Sequence, residues 1–440
     1  MNWYDTHYNG AIALVDLAEG ALEVVPLERF LAEEYLGGAA LNRALLDRYS
    51  EGDPLVFGTG PLTGSFAPAS CLLTATFRSP MTGRVCNVPL TLRTGPQLKY
   101  AGFDALVLVN RCAASSLITV SDGKAALSSA EALQGLGLSQ MEAHVRREAN
   151  HPEAWILAGP VEGPCAAVST SMGGSFDKAG LSAAMTAKKL RGIAISGSGG
   201  RPFGDKDLYR SDLLIETIKK NVPRKQVGFT AILDAIAPGE TAKMVPRRKT
   251  RNMACFRCPV PCMGHLPRPG GGTGKVGDDV QGGLFLADHL GFTALAKRFA
   301  GDAPALMAAC NEAGIDPAAL PAMISQGQGP DQILSTIRDW YGTAPDAATE
   351  EDRAAGLYGS MPPEERDFFG GGLPPLYSTG SADAWKITVG RSMILGICPL
   401  FTSRFPDIES PLLGFLTTDK DRVAALAKTM TTLSETLIKG

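Results

Sequence analysis

The sequence predicts an α+β protein with an N-terminal domain of two packed β-sheets and short helices, followed by a mainly α-helical region. In the first part, short runs alternate apolar and polar residues and are separated by glycine- and proline-rich turns, as is typical of strands. A small-residue stretch at 197–202 then breaks the chain. Beyond it, apolar residues recur at helical spacing. We therefore predict a β-rich domain at 1–200 and one or more helical domains at 201–440.

The composition limits the classes of function. The 440 residues are 45% hydrophobic, which is enough for a large core. The net charge is −3 with acidic and basic residues interleaved, so we expect no nucleic-acid partner. We find no apolar run of ~20 residues and no apolar core in the polar N-terminus, so we expect no membrane span and a cytoplasmic location.

The predicted strands follow one another closely in the first domain. A hairpin is predicted at residues 11–17 and 21–27, around Ala18-Glu19-Gly20. Further strands are expected at 55–57, 71–77, 104–109, 117–120, 125–127, 155–158 and 192–196, with helices at 39–49 and 181–190.

Parts of this pattern occur twice. A strand runs into Gly60-Pro61 and another into Gly159-Pro160, and a hairpin near Asp122 corresponds to the one near Glu19. We interpret this as a weak internal duplication that forms two sheets of similar construction.

The second region is predicted to contain helices at 207–221, 284–299 and 422–439. In the last of these, Val423, Leu426, Met430, Leu433 and Leu437 recur at 3,4,3,4 spacing, which predicts a helix packed on a core. A basic stretch at 247–251 fits either a solvated loop or a contact with an acidic electron-transfer partner.

Three cysteines, Cys255, Cys258 and Cys262, lie close together with C-x2-C-x3-C spacing. Thiolates at this spacing suit an iron–sulfur cluster or zinc, both of which normally take four ligands. Cys398, between Gly396 and Pro399, is the candidate for the fourth. The spacing leaves open an iron–sulfur cluster, a structural zinc ion or no metal. The other five cysteines are expected to be small buried residues: Cys71, Cys86, Cys112, Cys165 and Cys310.

Several motifs in one order resemble the aldehyde:ferredoxin oxidoreductase family of tungsten-pterin enzymes. They include a Gly-Pro-Leu-Thr-Gly loop, a Lys-Ser-Pro-Leu-Thr-Gly loop, a Leu-Lys-Phe-Ala-Gly-Tyr-Asp-Ala segment and the cysteine segments. In this chain the first three motifs correspond to residues 60–64, 78–83 and 98–105, and the cysteine segments to 255–264 and 395–398. The resemblance identifies the chain as a shortened and divergent member.

This resemblance implies cofactors and ligands. Cys255, Cys258, Cys262 and Cys398 would bind a [4Fe-4S] cluster, and a tungsten- or molybdenum-bis-pterin would be held partly by Asp-x-x-Gly-Leu motifs. Its implied contacts here are Asp288, Gly291, Phe292, Ile397, Lys178 and Gly180. The implied activity is oxidation of an aldehyde or related carbonyl, with electrons passing to ferredoxin or a partner subunit.

The chain also departs from the family. Met393 stands where the second motif has its aspartate, and Asp177-Lys178-Ala179-Gly180 replaces Gly-Arg-Gly-Gly. Lysine lacks the planar fork with which arginine binds a phosphate. No histidine follows His289, so the family's histidine-bearing active-site stretch has no counterpart, and we assign no catalytic residue. Two alternatives to an aldehyde-oxidising enzyme follow: an electron-transfer or scaffold subunit that keeps only the cluster, and a structural protein that holds zinc.

Overall fold

The computed structural model describes most of the chain. The described residues are 3–81, 83–149, 151–170, 177, 179–199, 228–236, 239, 245, 251–267, 283–325, 327–345, 382–405 and 408–439. The helix predicted at 207–221 lies outside them, as does most of the basic stretch at 247–251.

Within these residues we number the elements in chain order. The strands are β1 Ala11–Asp16, β2 Ala21–Pro26, β3 Leu55–Thr59, β4 Leu73–Arg78, β5 Val85–Leu90, β6 Ala105–Val109, β7 Ser116–Ser121, β8 Lys124–Ser129, β9 Ala154–Ala158, β10 Val168–Thr170, β11 Leu190–Ser196, β12 Arg251–Met253, β13 Met263–Pro267 and β14 Gly283–Leu286. The helices are α1 Trp3–His7, α2 Arg29–Tyr35, α3 Gly38–Arg48, α4 Thr94–Tyr100, α5 Leu138–Glu148, α6 Leu181–Ala187, α7 Phe229–Ile236, α8 His289–Phe299, α9 Ala303–Ala313, α10 Leu320–Met323, α11 Pro330–Asp339, α12 Ala382–Leu395, α13 Pro399–Arg404, α14 Glu409–Leu413 and α15 Lys420–Lys439.

The first domain contains two sheets with the same strand topology. The first sheet has the order β2-β1-β6-β3-β4-β5 and the second has β8-β7-β11-β9-β10. In each, a hairpin strand pairs in parallel with the strand that follows a short helix, β1 with β6 and β7 with β11. Two further pairs also agree, because β6–β3 and β11–β9 are antiparallel, as are β3–β4 and β9–β10. The first sheet has one additional strand, β5, which pairs with β4. The internal duplication predicted from the sequence is confirmed.

The two sheets pack face to face, with helices on their outer faces. Successive strand residues point to opposite sides, so Phe57 joins the core between the sheets and Val56 packs outward against helices α2 and α3. On the far side, Trp155 and Leu157 of β9 pack against α5. The N-terminal domain therefore has helix, sheet, sheet and helix layers, and the predicted fold class is confirmed.

The second region is mainly helical but contains one more sheet, with the order β12-β13-β14. The sequence predicts a helix at 284–299, whereas the structure has β14 first and begins α8 at His289. The prediction was wrong there because a short apolar run has the same composition in a strand as in a buried helix. Helix α15 packs as predicted, with Met430 buried in the core and Val423 and Leu426 beside it. No helix in the described parts of the chain is long and apolar enough to cross a membrane.

Candidate metal centre

The fold brings together the four cysteines that the sequence singles out. Cys255, Cys258 and Cys262 lie on the connection between β12 and β13, and Cys398 directly precedes helix α13. Three of them are buried, and Cys258 is partly buried. We call these four residues the four-cysteine site. Its apolar surroundings include Leu62, and the site is therefore sealed from water on its inner side.

Ala69, in the loop at residues 60–72 that follows β3, makes backbone hydrogen bonds to both cysteine segments. The backbone N–H of Ala69 donates to the carbonyl oxygen of Arg257 at 2.9 Å. The carbonyl oxygen of Ala69 accepts from the N–H of Cys398 at 3.0 Å. Ala69 adopts a left-handed conformation, with φ of 56°, that turns the two groups toward different segments. The loop at residues 60–72 thus fixes the distance between the two halves of the site.

The thiols lie within electrostatic reach of one another. Burial and the neighbouring Cys255, Cys398 and Cys262 raise the pKa of Cys258, and burial with the Cys255 and Cys398 thiols does the same for Cys262. The Cys71 thiol most strongly lowers the pKa of Cys255, with help from the Leu92 backbone and despite burial. The pKa of Cys255 is thus shifted in the opposite direction from those of Cys258 and Cys262, toward the thiolate, which is the form that binds metal.

Cys71 is a fifth thiol at this site, and the sequence analysis missed it. The neighbouring thiols of Cys255 and Cys398 together with burial raise its pKa, and Cys71 packs in the same core as both. The prediction that Cys71 is a small buried residue is correct as far as burial goes, since it is fully buried. The available signal was its position at the end of the loop that contains the Gly-Pro-Leu-Thr-Gly motif.

Four cysteine thiols from two segments, three of them buried and one partly buried, are the kind of donor set that binds an iron–sulfur cluster, so the residue types fit that group. Within the described residues, no group of three or more His, Cys, Asp or Glu side chains is arranged to hold a single metal ion.

A histidine contacts the site from helix α8. His289 is buried and its Nε2 lies 2.8 Å from the carbonyl oxygen of Cys262, which can only accept. Its ring stacks on Phe229 at 4.8 Å between centroids. Burial lowers the pKa of His289 to about 4, so the ring is neutral at ordinary pH and donates through Nε2. His289 thus holds the end of the cysteine loop.

Glycines allow the 60–72 loop to approach the second cysteine segment closely. A Cβ on Gly60 would lie 2.1 Å from the carbonyl carbon of Leu395. Gly396 has a φ of +81°, and a Cβ there would lie 2.0 Å from Thr63 Oγ1. The N–H of Leu62 donates to the carbonyl oxygen of Leu395 at 3.0 Å. The family-like motif 60–64 is therefore a docking surface for the segment that carries Cys398.

The motif at 98–105 supports the same loop through a buried ion pair. Lys99 Nζ lies 3.1 Å from Asp104 Oδ1, and both side chains are fully buried. Lys99 also donates to the carbonyl oxygen of Gly60 at 3.1 Å, while Asp104 accepts from the N–H of Gly10 at 2.8 Å. Burial lowers the pKa of Lys99, and Asp104 opposes that shift. This motif therefore positions the loop and does not face a ligand.

The residues around Asp288 that were predicted to contact a pterin make contacts with other groups of the protein. Asp288 is buried and caps helix α8, where Oδ1 accepts from the N–H of Gly291 at 2.8 Å. A Cβ on Gly291 would lie 2.4 Å from the Asp288 carboxylate, so the glycine is required by the cap. Phe292 is buried against Phe229 with 5.7 Å between the ring centroids, and Ile397 is buried in the core around the four-cysteine site.

A second carboxylate occupies the start of helix α6. Asp177 is buried, and its two oxygens accept from five backbone N–H groups at 2.9–3.3 Å. The donors are Val168, Ala179, Gly180, Leu181 and Ser182. Two features favour glycine at position 180. Its φ is left-handed at +83°, and a Cβ there would lie 2.6 Å from the sulfur of Met81. Lys178 lies outside the described residues.

These contacts do not fit a pterin at this end of the second sheet. A helix N-terminus binds a phosphate through its free N–H groups, and here those groups already bind Asp177. Met393, at the position of the missing aspartate, is fully buried and has no carboxylate to offer. Its carbonyl oxygen is so close to Gly38 that a Cβ there would lie 1.8 Å away. Among the expected pterin contacts that the structure describes, the Asp288 cap keeps the residue types that the pterin motif requires.

The two packed sheets and the docking loop form an oxidoreductase-type fold, as comparison with known protein families shows. Residues 12–197 match the family described as "Aldehyde ferredoxin oxidoreductase, N-terminal domain". Over these residues the chain is similar to that family, as the sequence motifs indicate.

Two relatives are tungsten-containing aldehyde ferredoxin oxidoreductases. That of Pyrococcus furiosus is 25% identical over 346 residues, which cover 70% of this chain and 56% of that protein. That of Thermococcus kodakarensis is 26% identical over 290 residues, or 58% of this chain and 48% of that protein. The chain therefore spans about half the length of the curated relatives it matches.

Two further similarities are more distant. The WOR-like subunit of an aliphatic sulfonate oxidoreductase from Pyrococcus furiosus is 22% identical over 222 residues, which are 44% of this chain and 35% of that protein. The solved BamBC active-site complex of benzoyl coenzyme A reductase matches with a TM-score of 0.70 and 15% identity. That match covers 98% of this chain and 89% of that one, and it shows the fold alone.

Proposed function

We propose that the chain is an iron–sulfur oxidoreductase subunit in which Cys255, Cys258, Cys262 and Cys398 hold a [4Fe-4S] cluster. The observation that carries this is that the backbone of Ala69 hydrogen-bonds to both cysteine segments, whose thiols are buried at three positions and partly buried at Cys258. A cluster held there supplies one-electron transfer. The surrounding apolar side chains would exclude water from its inner side, and the 60–72 loop would fix its ligands.

The surface beside Cys258 suits an electron-transfer partner such as an acidic ferredoxin or a partner subunit. Cys258 is partly buried, whereas the other three cysteines are buried. The neighbouring Arg257 is exposed, and its guanidinium lies 4.6 Å from the ring centre of Phe66 and 5.4 Å from that of Phe256. A cation next to the most accessible ligand steers an anionic partner toward the cluster.

Two forms of this function differ in the pterin. In one, the protein oxidises an aldehyde or related carbonyl at a tungsten- or molybdenum-bis-pterin and passes electrons through the cluster. The names of its relatives and the retained Asp288 and Gly291 favour this form. In the other, it is an electron-transfer or scaffold subunit that lacks the pterin metal. Asp177 at the start of α6 and Met393 in place of an aspartate favour the second form, which the side chains support better.

Metal analysis of protein purified without oxygen distinguishes these forms. We expect about four iron atoms and four sulfides per chain. Tungsten or molybdenum near one atom per chain supports the aldehyde-oxidising form, whereas its absence supports the electron-transfer form. Zinc alone would contradict both.

The fourth ligand has its own test. Cys398→Ser should lose the cluster or convert it to one with fewer irons, seen as lower iron content and a changed electron paramagnetic resonance spectrum. Cys112→Ser is a matched control, because Cys112 is also buried but lies in the core between the sheets. Equal iron content in both variants would remove Cys398 from the ligand set.

The partner surface can be tested by charge. Arg257→Glu should slow electron transfer with an acidic ferredoxin about tenfold at low salt, with a smaller effect at high salt. Arg422→Glu changes an exposed arginine on helix α15 and should leave the rate unchanged. Equal rates for Arg257→Glu and the parent protein would place the partner elsewhere.

A further inference from the structure

We infer that the ion pair between Arg93 and Glu153 regulates docking at the partner surface beside Cys258: an acidic electron-transfer protein binds Arg93 there in exchange for Glu153. This inference rests on the proposed function, because it needs a partner that docks at the cysteine loop. It adds to Arg257 a second cationic contact, and it adds a carboxylate of the chain itself that competes with the partner for that contact.

The backbone places Arg93 close to Arg257. The N–H of Phe256 donates to the carbonyl oxygen of Leu92 at 3.2 Å, which joins the cysteine loop to the segment that begins helix α4. Arg93 and Arg257 are the next residues of these two bonded segments. Because consecutive Cα atoms are only about 3.8 Å apart, the two arginines start from neighbouring points of the backbone.

Aromatic side chains accompany the two arginines. The ring of Tyr100 meets that of Phe256 edge-on with 6.3 Å between centroids, and the guanidinium of Arg257 lies 5.4 Å from the same Phe256 ring. Burial raises the pKa of Tyr100, and the charges of Arg257 and Arg93 oppose that shift, so both cations lie within electrostatic reach of the tyrosine. Both rings are partly buried and both arginines are exposed. Tyrosine, phenylalanine and arginine are residue types enriched in protein interfaces.

Glu153 neutralises one of these cations in the free protein. Its Oε2 lies 2.7 Å from Nη1 of Arg93, and the two side chains are 53% and 58% exposed. An ion pair this exposed is held weakly, because water solvates both charges, so a carboxylate of a partner can replace Glu153. Glu153 also repels an acidic partner through its own charge. The pair therefore slows the docking of such a partner.

The two members of the pair predict effects of opposite sign. Glu153→Gln frees Arg93 and removes a like charge from the surface, so an acidic partner associates faster. Arg93→Gln removes the cation and leaves Glu153 uncompensated, so the partner associates more slowly. A pair with a purely structural role would lose the same contact in either variant, and both changes would then act in the same direction.

The test measures the association of an acidic plant-type ferredoxin with the full chain, purified without oxygen, by biolayer interferometry. At low salt we expect Glu153→Gln to raise the association rate constant about threefold and Arg93→Gln to lower it about threefold. Both differences should shrink at high salt. Arg29→Gln and Glu33→Gln are matched controls that should leave the rate unchanged, because they make the same charge changes in an exposed ion pair on helix α2.

Three results would overturn the inference. If Arg93→Gln and Glu153→Gln act alike or not at all while Arg257→Glu slows association, the pair is structural and the proposed partner surface stands. If the Arg29 and Glu33 variants change the rate as much, net charge alone sets it. A parent protein that contains four irons but does not bind the ferredoxin at low salt removes the partner surface and this inference, and leaves the cluster in place.

Discussion

The two sheets of the N-terminal domain share a topology but differ in what their loops do. After β3, the 60–72 loop packs on the segment that carries Cys398 and reaches the cysteine loop through Ala69. After β9, the equivalent loop at 159–167 packs on the end of helix α9, where the N–H of Val161 donates to Ala313 at 3.2 Å. Similar backbones thus serve a candidate metal centre in one half and the packing of a helix in the other.

The short helices α4 and α6, which hold equivalent positions in the two halves, differ in how the N–H groups at their starts are satisfied. The side chain of Arg93 at the N-cap of α4 makes no capping hydrogen bond, whereas Asp177 accepts from five backbone N–H groups around the start of α6. A duplicated fold therefore need not keep a duplicated ligand site. Internal side chains of the second half satisfy groups that a ligand would otherwise satisfy.

The largest expected difference in unfolding free energy is between variants of Lys99, near the end of α4, and of Lys188, directly after α6. Lys99→Met should cost about 3–5 kcal/mol of unfolding free energy, because it leaves the buried Asp104 without its cation. Lys188→Met should cost about 1 kcal/mol, because its partner Asp53 is mostly exposed. Chemical denaturation of both variants measures the two values. Equal losses would mean that the two halves use their lysines alike.

The second half should also carry a pH dependence through Glu142 on helix α5. Burial raises its pKa to about 7, opposed by Trp155 and Arg146, while Glu312 adds to the rise. Between pH 4.5 and 7, Glu142 therefore keeps its proton in the folded state, whereas in the unfolded state, where its pKa has the ordinary value of 4.5, it has released the proton. Stability therefore falls as pH rises from about 4.5 to 7, by about 3 kcal/mol.

Glu142→Gln removes this charge and should stabilise the protein by up to about 3 kcal/mol at pH 8, with little effect near pH 4. Denaturation curves across this pH range test the sign. Glu148→Gln, at the end of the same helix, is a control that should not change the slope. A parent protein whose stability rises between pH 5 and 7 in a Glu142-dependent way would contradict the assignment.

Substituting one glycine in each of the two loops tests whether that loop supports metal binding or only packing. Gly60→Ala would press a Cβ against Leu395, and Gly159→Ala would press one against Gly314 at 2.6 Å. Each should cost about 1–3 kcal/mol by overpacking. Only Gly60→Ala should also lower the iron content, because it displaces the segment with Cys398. Iron loss of the same size in Gly159→Ala would show that the site depends on general stability.

A small effect is also expected at Asp177. Asp177→Ala leaves five N–H groups without their acceptor and should cost about 1–2 kcal/mol. Asp177→Asn keeps one acceptor oxygen and should cost less. A thermal melt comparing the two variants is sufficient. If Asp177→Ala were as stable as the parent, the carboxylate would not be needed to satisfy the start of α6.

The sequence predicts the repeated sheets well because hairpin turns, Gly-Pro breaks and alternation are local signals. It also indicates the four cysteines, whose residue type and spacing carry the chemistry. Cys71 could not be found in this way, because a single cysteine among apolar residues looks the same in a core and beside a metal site. The position of Cys71 next to Cys398 depends on the left-handed turn at Ala69, which brings distant segments together.

Asp177 shows a different limit of sequence reasoning. An aspartate shortly before a helix is a recognised capping signal, but comparison with a family motif presents it only as a changed residue. Its five hydrogen bonds become visible only when the backbone is folded around it. In the same way, β14 shares its composition with a helix, and only its pairing with β13 identifies it as a strand.

The bridging position of Ala69 has a consequence for how the protein matures. Its N–H and carbonyl oxygen join the cysteine loop and Cys398, which come from distant parts of the chain. Such long-range contacts form late in folding, because closing a long loop costs more entropy. On a ribosome, Cys398 is synthesised much later than the three cysteines of the first segment. Delivery of the proposed cluster would therefore have to follow the synthesis of both segments, and a bound cluster would mark a chain whose two regions have already met.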